Sequence, residues 1–169
     1  MRESAKSSSM QGAVTAVDDV NERAKSAMFA KLSAKFDSLA GKVIAVWGLA
    51  FKPKTSDTRE APAQVLIRSL LETGAKVQAT DPRAVDETRT VLGERKGLVY
   101  VSDMYDAVNG ADALAVMTEW DIYRKPDFTR IKNLMNTPLI VDGRNLYSPN
   151  EMKRRGFAYI SVGRPEVNI

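Results

Sequence analysis

From Lys42 to the C-terminus, short apolar runs alternate with segments of helical periodicity, and this alternation constrains the fold more than any other feature. The runs predict six strands, at Val43–Leu49, Lys76–Thr80, Leu98–Val101, Ala111–Met117, Pro138–Val141 and Phe157–Val162. Helices are predicted between them, at Pro62–Thr73, Val85–Leu92, Asp103–Val108, Phe128–Met135 and Pro149–Arg155. Such alternation is typical of doubly wound α/β folds with a parallel sheet. The sequence therefore predicts a six-stranded, mostly parallel sheet with the nearly all-apolar first and fourth strands at its centre.

A single long helix is predicted to precede this domain. Apolar residues recur every three or four positions from about Ala13 to Ala40, and Gly41 ends the pattern. The members of this stripe are Val14, Val17, Ala24, Met28, Leu32, Phe36 and Leu39. Residues 1–12 are rich in serine, so the expected organisation is a disordered tail (1–12), a connecting helix (13–40) and an α/β domain (41–169). The stripe needs a partner, and three remain open: the α/β domain, a second copy of the chain, or further sequence.

The chain contains neither cysteine nor histidine, which excludes disulfides, thiolate nucleophiles, histidine acid–base catalysis and Cys/His zinc sites. Its 25 basic and 21 acidic residues give a net charge of +4, which suits small anions, and no nucleic-acid-binding motif is present. No apolar run approaches the roughly 18 residues of a transmembrane helix. The N-terminus lacks the apolar core of a signal peptide. We expect a cytoplasmic protein that binds neither nucleic acid nor membranes and holds no metal.

The loop after the first strand carries the clearest functional signal. It contains the cations Lys52, Lys54 and Arg59. In open α/β sheets, ligands bind beyond the carboxyl ends of strands, so a cationic loop at this position predicts an anion site. The loop lacks the G-x-G-x-x-G pattern that cradles a dinucleotide pyrophosphate. A phosphate bound here would therefore be held by side chains.

Residues distant in sequence are predicted to converge with this loop. In a sheet of order 3-2-1-4-5-6, strands one, four and five end near the point where the order reverses. Residues 118–121 (TEWD) follow strand four, and Arg144 follows strand five. Lys52, Arg59 and Arg144 should therefore share one rim. Cations there, beside the aromatic rings of Phe51 and Trp120, suit a ligand with phosphates and a flat base, although Trp120 is also typical of core or rim packing.

Three segments, in this order and on this strand pattern, resemble a known family. They are FKPKTSDTREAP (51–62), TEWDIYRKPDF (118–128) and VDGRNLYSP (141–149). Together they are similar to the C-terminal, UDP-binding domain of the UDP-glucose 6-dehydrogenases, within the UDP-glucose/GDP-mannose dehydrogenase family. The resemblance implies a Rossmann-like domain from enzymes that oxidise UDP-glucose to UDP-glucuronate with two NAD per turnover. The segment VDDVNERAKSAMFAKL (17–32) resembles the end of the family's central helix, which implies a homodimer through the 13–40 helix.

The same resemblance assigns roles to four residues. Phe51, Lys52 and Arg144 match positions that contact the UDP-sugar, and Arg59 matches the arginine that reaches NAD from this domain. The family's N-terminal, NAD-binding domain and its catalytic cysteine have no counterpart in this sequence. We therefore expect the chain to bind UDP or UDP-glucose, to contain no catalytic residue, to bind NAD weakly at most, and to be inactive alone.

Other interpretations of the same residues stay open. A non-catalytic nucleotide-binding or dimerisation module would have the same fold. Arg59 beside Glu60 is also typical of a surface ion pair, and Lys52 of a solvated loop. Asp121 and Asp142 would form a general acid/base pair only if this domain itself performed chemistry. Among nucleotide sugars, the resemblance favours UDP-glucose over GDP-mannose and the UDP-N-acetylhexosamines.

Overall fold

The computed structural model describes residues 26–169, which fold around one six-stranded parallel sheet. In this part of the chain the strands are β1 (Val43–Trp47), β2 (Lys76–Thr80), β3 (Leu98–Tyr100), β4 (Ala113–Val116), β5 (Leu139–Asp142) and β6 (Ala158–Ser161). They lie in the order β3-β2-β1-β4-β5-β6, and every neighbouring pair is parallel. The predicted doubly wound, Rossmann-like fold is confirmed. The strand order reverses between β1 and β4.

The two central strands are buried on both faces of the sheet. Along β1, Ile44 and Val46 pack in the apolar cluster on one face, while Ala45 and Trp47 pack in the cluster on the other. Every residue of β4 is buried as well. A strand covered on both faces has to be apolar along its whole length, which is why these two runs stand out in the sequence.

Helices cover both faces. They are the helical residues 26–33 (α1), α2 (Pro62–Glu72), α3 (Val85–Leu92), α4 (Met104–Val108), α5 (Asp121–Arg124), α6 (Phe128–Leu134) and α7 (Pro149–Arg155). Residues of α1, α2 and α3 belong to one apolar cluster, and residues of α4, α5, α6 and α7 belong to the other. Pro62 and Pro149 start α2 and α7, where a missing amide hydrogen costs nothing. No helix in the described ranges is long and apolar enough to cross a membrane.

One short helix, α5, was not predicted from the sequence. Helix α5 is a single turn that follows β4, and its Tyr123 is fully buried, with its ring stacked 4.9 Å from that of Trp47. Four residues are too few for an apolar repeat to be recognised. Its order comes from tertiary packing, which the local pattern does not encode.

The helix that precedes the domain ends earlier than predicted. Helical structure stops at residue 33, and residues 34–42 form turns and irregular chain. Phe36 N donates to Ser33 O, a tighter bond of the 3₁₀ type that marks the end of the helix. The predicted extension to residue 40 is therefore wrong. Phe36 and Leu39 keep helical spacing but pack against the apolar cluster from the irregular segment.

Within the described residues, the apolar stripe of α1 packs on the sheet. Met28 and Leu32 are buried in the same cluster as the β1 residues Ile44 and Val46. Of the three partners left open, the α/β domain itself takes this part of the stripe. The predicted tail (1–12) and residues 13–25 of the predicted helix lie outside the described residues.

Candidate functional site

The turn that follows β1 is pressed against the end of β4. Gly48 has a φ of +92°, and a Cβ added to it would lie 2.5 Å from Cβ of Thr118. Glycine is therefore required for both the left-handed backbone and the close approach. The Thr118 hydroxyl closes the contact by donating to the Ala50 carbonyl at 2.6 Å. Protein atoms thus fill the space over the first turn.

A buried carboxylate, that of Asp81 at the end of β2, joins three loops. Its Oδ2 accepts from Leu49 N at 2.8 Å, from Ala50 N at 3.1 Å and from Trp120 Nε1 at 3.0 Å. Its Oδ1 accepts from the backbone amides of Arg83 and Ala84 at 2.8 and 2.9 Å. Asp81 is only 6% exposed. The loops after β1, β2 and β4 are therefore held by one side chain, whose role the sequence analysis missed.

This geometry does not fit a dinucleotide at the first turn. Such sites need a glycine-lined approach to the pyrophosphate and an acidic side chain that is free to bind a ribose hydroxyl. Here Gly48 is closed by Thr118, and both oxygens of Asp81 are occupied by protein donors. The side chain of Trp120 is turned inward to Asp81 and is 8% exposed, so it serves packing here and does not stack on a ligand base.

On the other side of the point where the strand order reverses, Arg144 and Glu119 form a bidentate ion pair. The arginine donates from Nε to Glu119 Oε2, and from Nη2 to Oε1 at 2.8 Å. Both side chains are about one-third exposed or less, at 33% and 27%. The hydrogen bond from Arg144 lowers the pKa of the Glu119 carboxyl, and the same bond raises the pKa of Arg144. The pair fixes the orientation of a guanidinium group at the end of β5.

A second buried aspartate holds the turn that carries Arg144. Asp142, fully buried at the end of β5, accepts from Arg144 N at 2.9 Å, from Tyr147 N at 3.1 Å and from the Tyr159 hydroxyl at 2.8 Å. Burial, together with the nearby charge of Asp142, raises the pKa of the Tyr159 hydroxyl. Asp121, by contrast, is exposed and lies 3.4 Å from Arg124. These different surroundings do not form a general acid/base pair.

A cleft, which we call the main cleft, opens beside Arg144 with a volume of about 590 Å³. It lies between α1, the loop after β1 and the ends of β4, β5 and β6. Its lining includes Met28, Lys31, Phe51, Met117, Arg144 and Val162. Phe51 is 44% exposed. Two of the residues predicted to bind substrate, 93 positions apart in the chain, therefore meet in one apolar cleft with charged side chains at its wall.

The other two predicted residues lie outside the main-cleft lining. Lys52 is exposed on the loop next to Phe51. Arg59 lines a different cleft, against α3, together with Ser56 and Glu87. The structure thus brings Phe51 and Arg144 together and separates Arg59 from them, so the predicted single rim is divided between two clefts.

Arg59 forms an ion pair with Asp57, two residues before it. Its Nε and Nη2 donate to Asp57 Oδ1 and Oδ2 at 3.0 and 2.8 Å, and its side chain is 88% exposed. Hydrogen bonds from Arg59 lower the pKa of the Asp57 carboxyl to about 2.

No group of acidic residues suited to a metal ion occurs in residues 26–169.

Comparison with known proteins identifies the family of this chain. Residues 45–149 match the family model described as the UDP-glucose/GDP-mannose dehydrogenase family, UDP binding domain. That range contains most of β1, all of β2 to β5 and all four residues that the sequence analysis assigned to binding. The matched range covers more than half of the chain.

Relatives of known name cover nearly the whole chain. The UDP-glucose 6-dehydrogenase of Pseudomonas aeruginosa is 46% identical over 154 residues, 89% of this chain and 34% of that protein. UDP-glucose 6-dehydrogenase TuaD of Bacillus subtilis is 40% identical and covers 91% of this chain and 33% of its own length. A UDP-glucose dehydrogenase structure from Pyrobaculum islandicum superimposes with a TM-score of 0.74 at 31% identity, covering 89% of this chain and 32% of that one. The chain thus spans about a third of the length of the curated relatives it matches.

Proposed function

This chain belongs to the UDP-glucose/GDP-mannose dehydrogenase family and corresponds to its C-terminal, UDP-binding domain, and from that premise we propose that its main cleft binds a UDP-sugar. Phe51, Lys52 and Arg144 are the proposed contacts. The observation that carries the proposal is the meeting of Phe51 and Arg144 in one cleft. A volume of about 590 Å³ lies within the range of about 300–1,000 Å³ that small-molecule sites occupy.

Each proposed contact has a chemical task. Arg144 is a planar donor suited to phosphate or carboxylate oxygens, and its pair with Glu119 uses Nε and Nη2, which leaves Nη1 for a ligand. Phe51 offers an apolar face to a sugar or a base. Lys52 stands beside Phe51 on an exposed loop and would reach a phosphate as a flexible point charge.

For the whole protein, the proposed reaction is the NAD-dependent oxidation of UDP-glucose to UDP-glucuronate. This chain contributes substrate binding, and we assign it no catalytic residue, because it contains neither cysteine nor histidine. NAD is the hydride acceptor in that reaction. The turn at Gly48, closed by Thr118, offers no site for the NAD pyrophosphate in this domain. Arg59, exposed and separate from the main cleft, is proposed to reach NAD held elsewhere in the protein. The cytoplasmic location and the homodimer through residues 13–40 stay predictions.

Isothermal titration of the 169-residue chain tests the binding proposal. We expect saturable binding of UDP and UDP-glucose, with weaker binding of GDP. Arg144→Gln removes the charged donor and should weaken UDP binding by about 10- to 100-fold, since a hydrogen bond to a charged group contributes about 1.5–3 kcal/mol.

The matched control is Arg89→Gln. Arg89 is also an exposed arginine in ion pairs, with Asp86 and Glu94, but it lies on α3, outside the main-cleft lining. Its substitution should leave UDP affinity within about twofold, because an exposed ion pair outside the cleft lining contributes little. No binding of UDP at millimolar concentration, or equal losses in both variants, would contradict the proposal.

A further inference from the structure

Lys31 on α1 places a second cation in the main cleft. It lines the cleft with Phe51 and Arg144. Its Nζ donates to the carbonyl oxygen of Ser161, at the end of β6, at 2.7 Å. This bond joins the helix that precedes the domain to the last strand of the sheet, so the ammonium is fixed at the cleft wall.

Lys31 keeps more of its positive charge for a ligand than Arg144 does, because the two side chains have different partners in the protein. Arg144 is paired with the carboxylate of Glu119, so much of its charge is neutralised within the protein. The bond from Lys31 goes to a neutral carbonyl, which leaves the positive charge in place in a cleft whose lining also includes Glu60. An ammonium carries three N–H donors, so donors remain beyond this bond.

From this juxtaposition we propose that Lys31 binds the diphosphate of the ligand in the main cleft. The inference rests on the proposed function, since it names a further residue of the same site. Arg144 holds phosphate oxygens from the β5 side with directed donors, and Lys31 meets the same group from α1 as a point charge. A nucleoside without phosphates would make no use of Lys31.

Lys35 provides a matched control on the same segment. It stands four residues after Lys31, and its Nζ contacts Glu166 at 2.7 Å and Asn168 at 3.2 Å, outside the main-cleft lining. Both lysines thus anchor this segment to the end of the chain, but only Lys31 reaches the cleft. Methionine keeps the apolar stem of each side chain and removes the charge.

The experiment measures dissociation constants for UDP and for uridine with the wild-type chain, Lys31→Met and Lys35→Met. We expect Lys31→Met to weaken UDP binding by about tenfold and to leave uridine binding unchanged, because the charged hydrogen bond to phosphate is the only ligand contact that this substitution removes. The bond to the Ser161 carbonyl is lost as well, and uridine binding reports whether that loss disturbs the cleft. Lys31→Arg should restore most of the UDP affinity, and Lys35→Met should behave like the wild-type chain.

The outcomes separate this inference from the proposed function. If the wild-type chain binds UDP and Lys31→Met binds it equally well, Lys31 is not a ligand contact and the proposed function stands. If Lys31→Met weakens UDP and uridine by the same factor, the lysine acts by holding α1 in place, which also overturns the inference. Failure of the wild-type chain to bind UDP would remove both.

Discussion

Asp81→Asn is expected to destabilise the protein strongly, because the carboxylate ties three loops together from a buried position. An asparagine has one acceptor oxygen, and its amide nitrogen is a donor. If the oxygen stays at the Oδ2 position, it still accepts from Leu49 N, Ala50 N and Trp120 Nε1. The amide group then faces the backbone N–H groups of Arg83 and Ala84.

The magnitude follows from the two donors that lose their acceptor. A buried donor left without a partner costs about 1–3 kcal/mol. The favoured orientation of the introduced amide leaves two donors without an acceptor, Ala84 N in a buried bond and Arg83 N in a partly buried one. The free energy of unfolding should therefore fall by about 2–4 kcal/mol. The opposite orientation would leave three donors without an acceptor and is disfavoured.

Urea denaturation followed by tryptophan fluorescence measures this loss, since Trp120 is itself a partner of Asp81. Asp86→Asn is the control: its carboxylate, on α3, is 97% exposed, so its substitution should change stability by less than about 0.5 kcal/mol. A loss below about 1 kcal/mol in Asp81→Asn would refute the view that this carboxylate holds the three loops.

Other substitutions test further parts of the structure. Gly48→Ala should lower the free energy of unfolding by about 2–5 kcal/mol, from backbone strain and overpacking. Gly41 has a φ of +76° with open space around it, so Gly41→Ala should cost only the strain. Urea denaturation of the two variants measures the difference. By NMR titration, the Asp57 carboxyl should titrate near pH 2 and move towards its ordinary value of 3.8 in Arg59→Gln. Glu119 has a lowered pKa in the folded protein, so its stabilisation is complete above its ordinary pKa of 4.5 and is lost as the pH falls through the lowered value. Glu119→Gln should therefore lose less stability than the wild-type chain below pH 4.5 in acid denaturation.

The sheet could be predicted from the sequence because strands that are buried on both faces are apolar along their whole length. β1 and β4 are continuous apolar runs, and the intervening glycines and prolines separate the helices. The end of α1 was less predictable, since Phe36 and Leu39 keep a helical spacing after the helix has stopped. Apolar spacing reports which residues face the core. It does not report the backbone path between them.

For the site, residue types were predictable but their partners were not. Arg144 and Phe51 follow strands that end at one edge, so their meeting follows from topology. Ion pairing does not: Arg59 pairs with Asp57 because a local turn aligns both guanidinium donors with that carboxylate. An aspartate directly after a strand was the available signal for Asp81, yet the same signal describes ordinary turns.

Two buried aspartates lie at the carboxyl ends of strands, Asp81 after β2 and Asp142 at the end of β5. We expect substitution of Asp81 to affect mainly stability and substitution of Asp142 to affect mainly UDP binding. Asp142→Asn can keep its oxygen towards Tyr147 N and the Tyr159 hydroxyl, so the donor it abandons is Arg144 N. One lost acceptor costs about 1–3 kcal/mol, less than the two lost in Asp81→Asn, but it releases the backbone of a proposed ligand contact. We therefore expect Asp142→Asn to be the more stable variant and the weaker binder of UDP. Titration of both variants under conditions where each is folded measures this, and equal UDP affinities would show that the turn at Arg144 is held without this carboxylate.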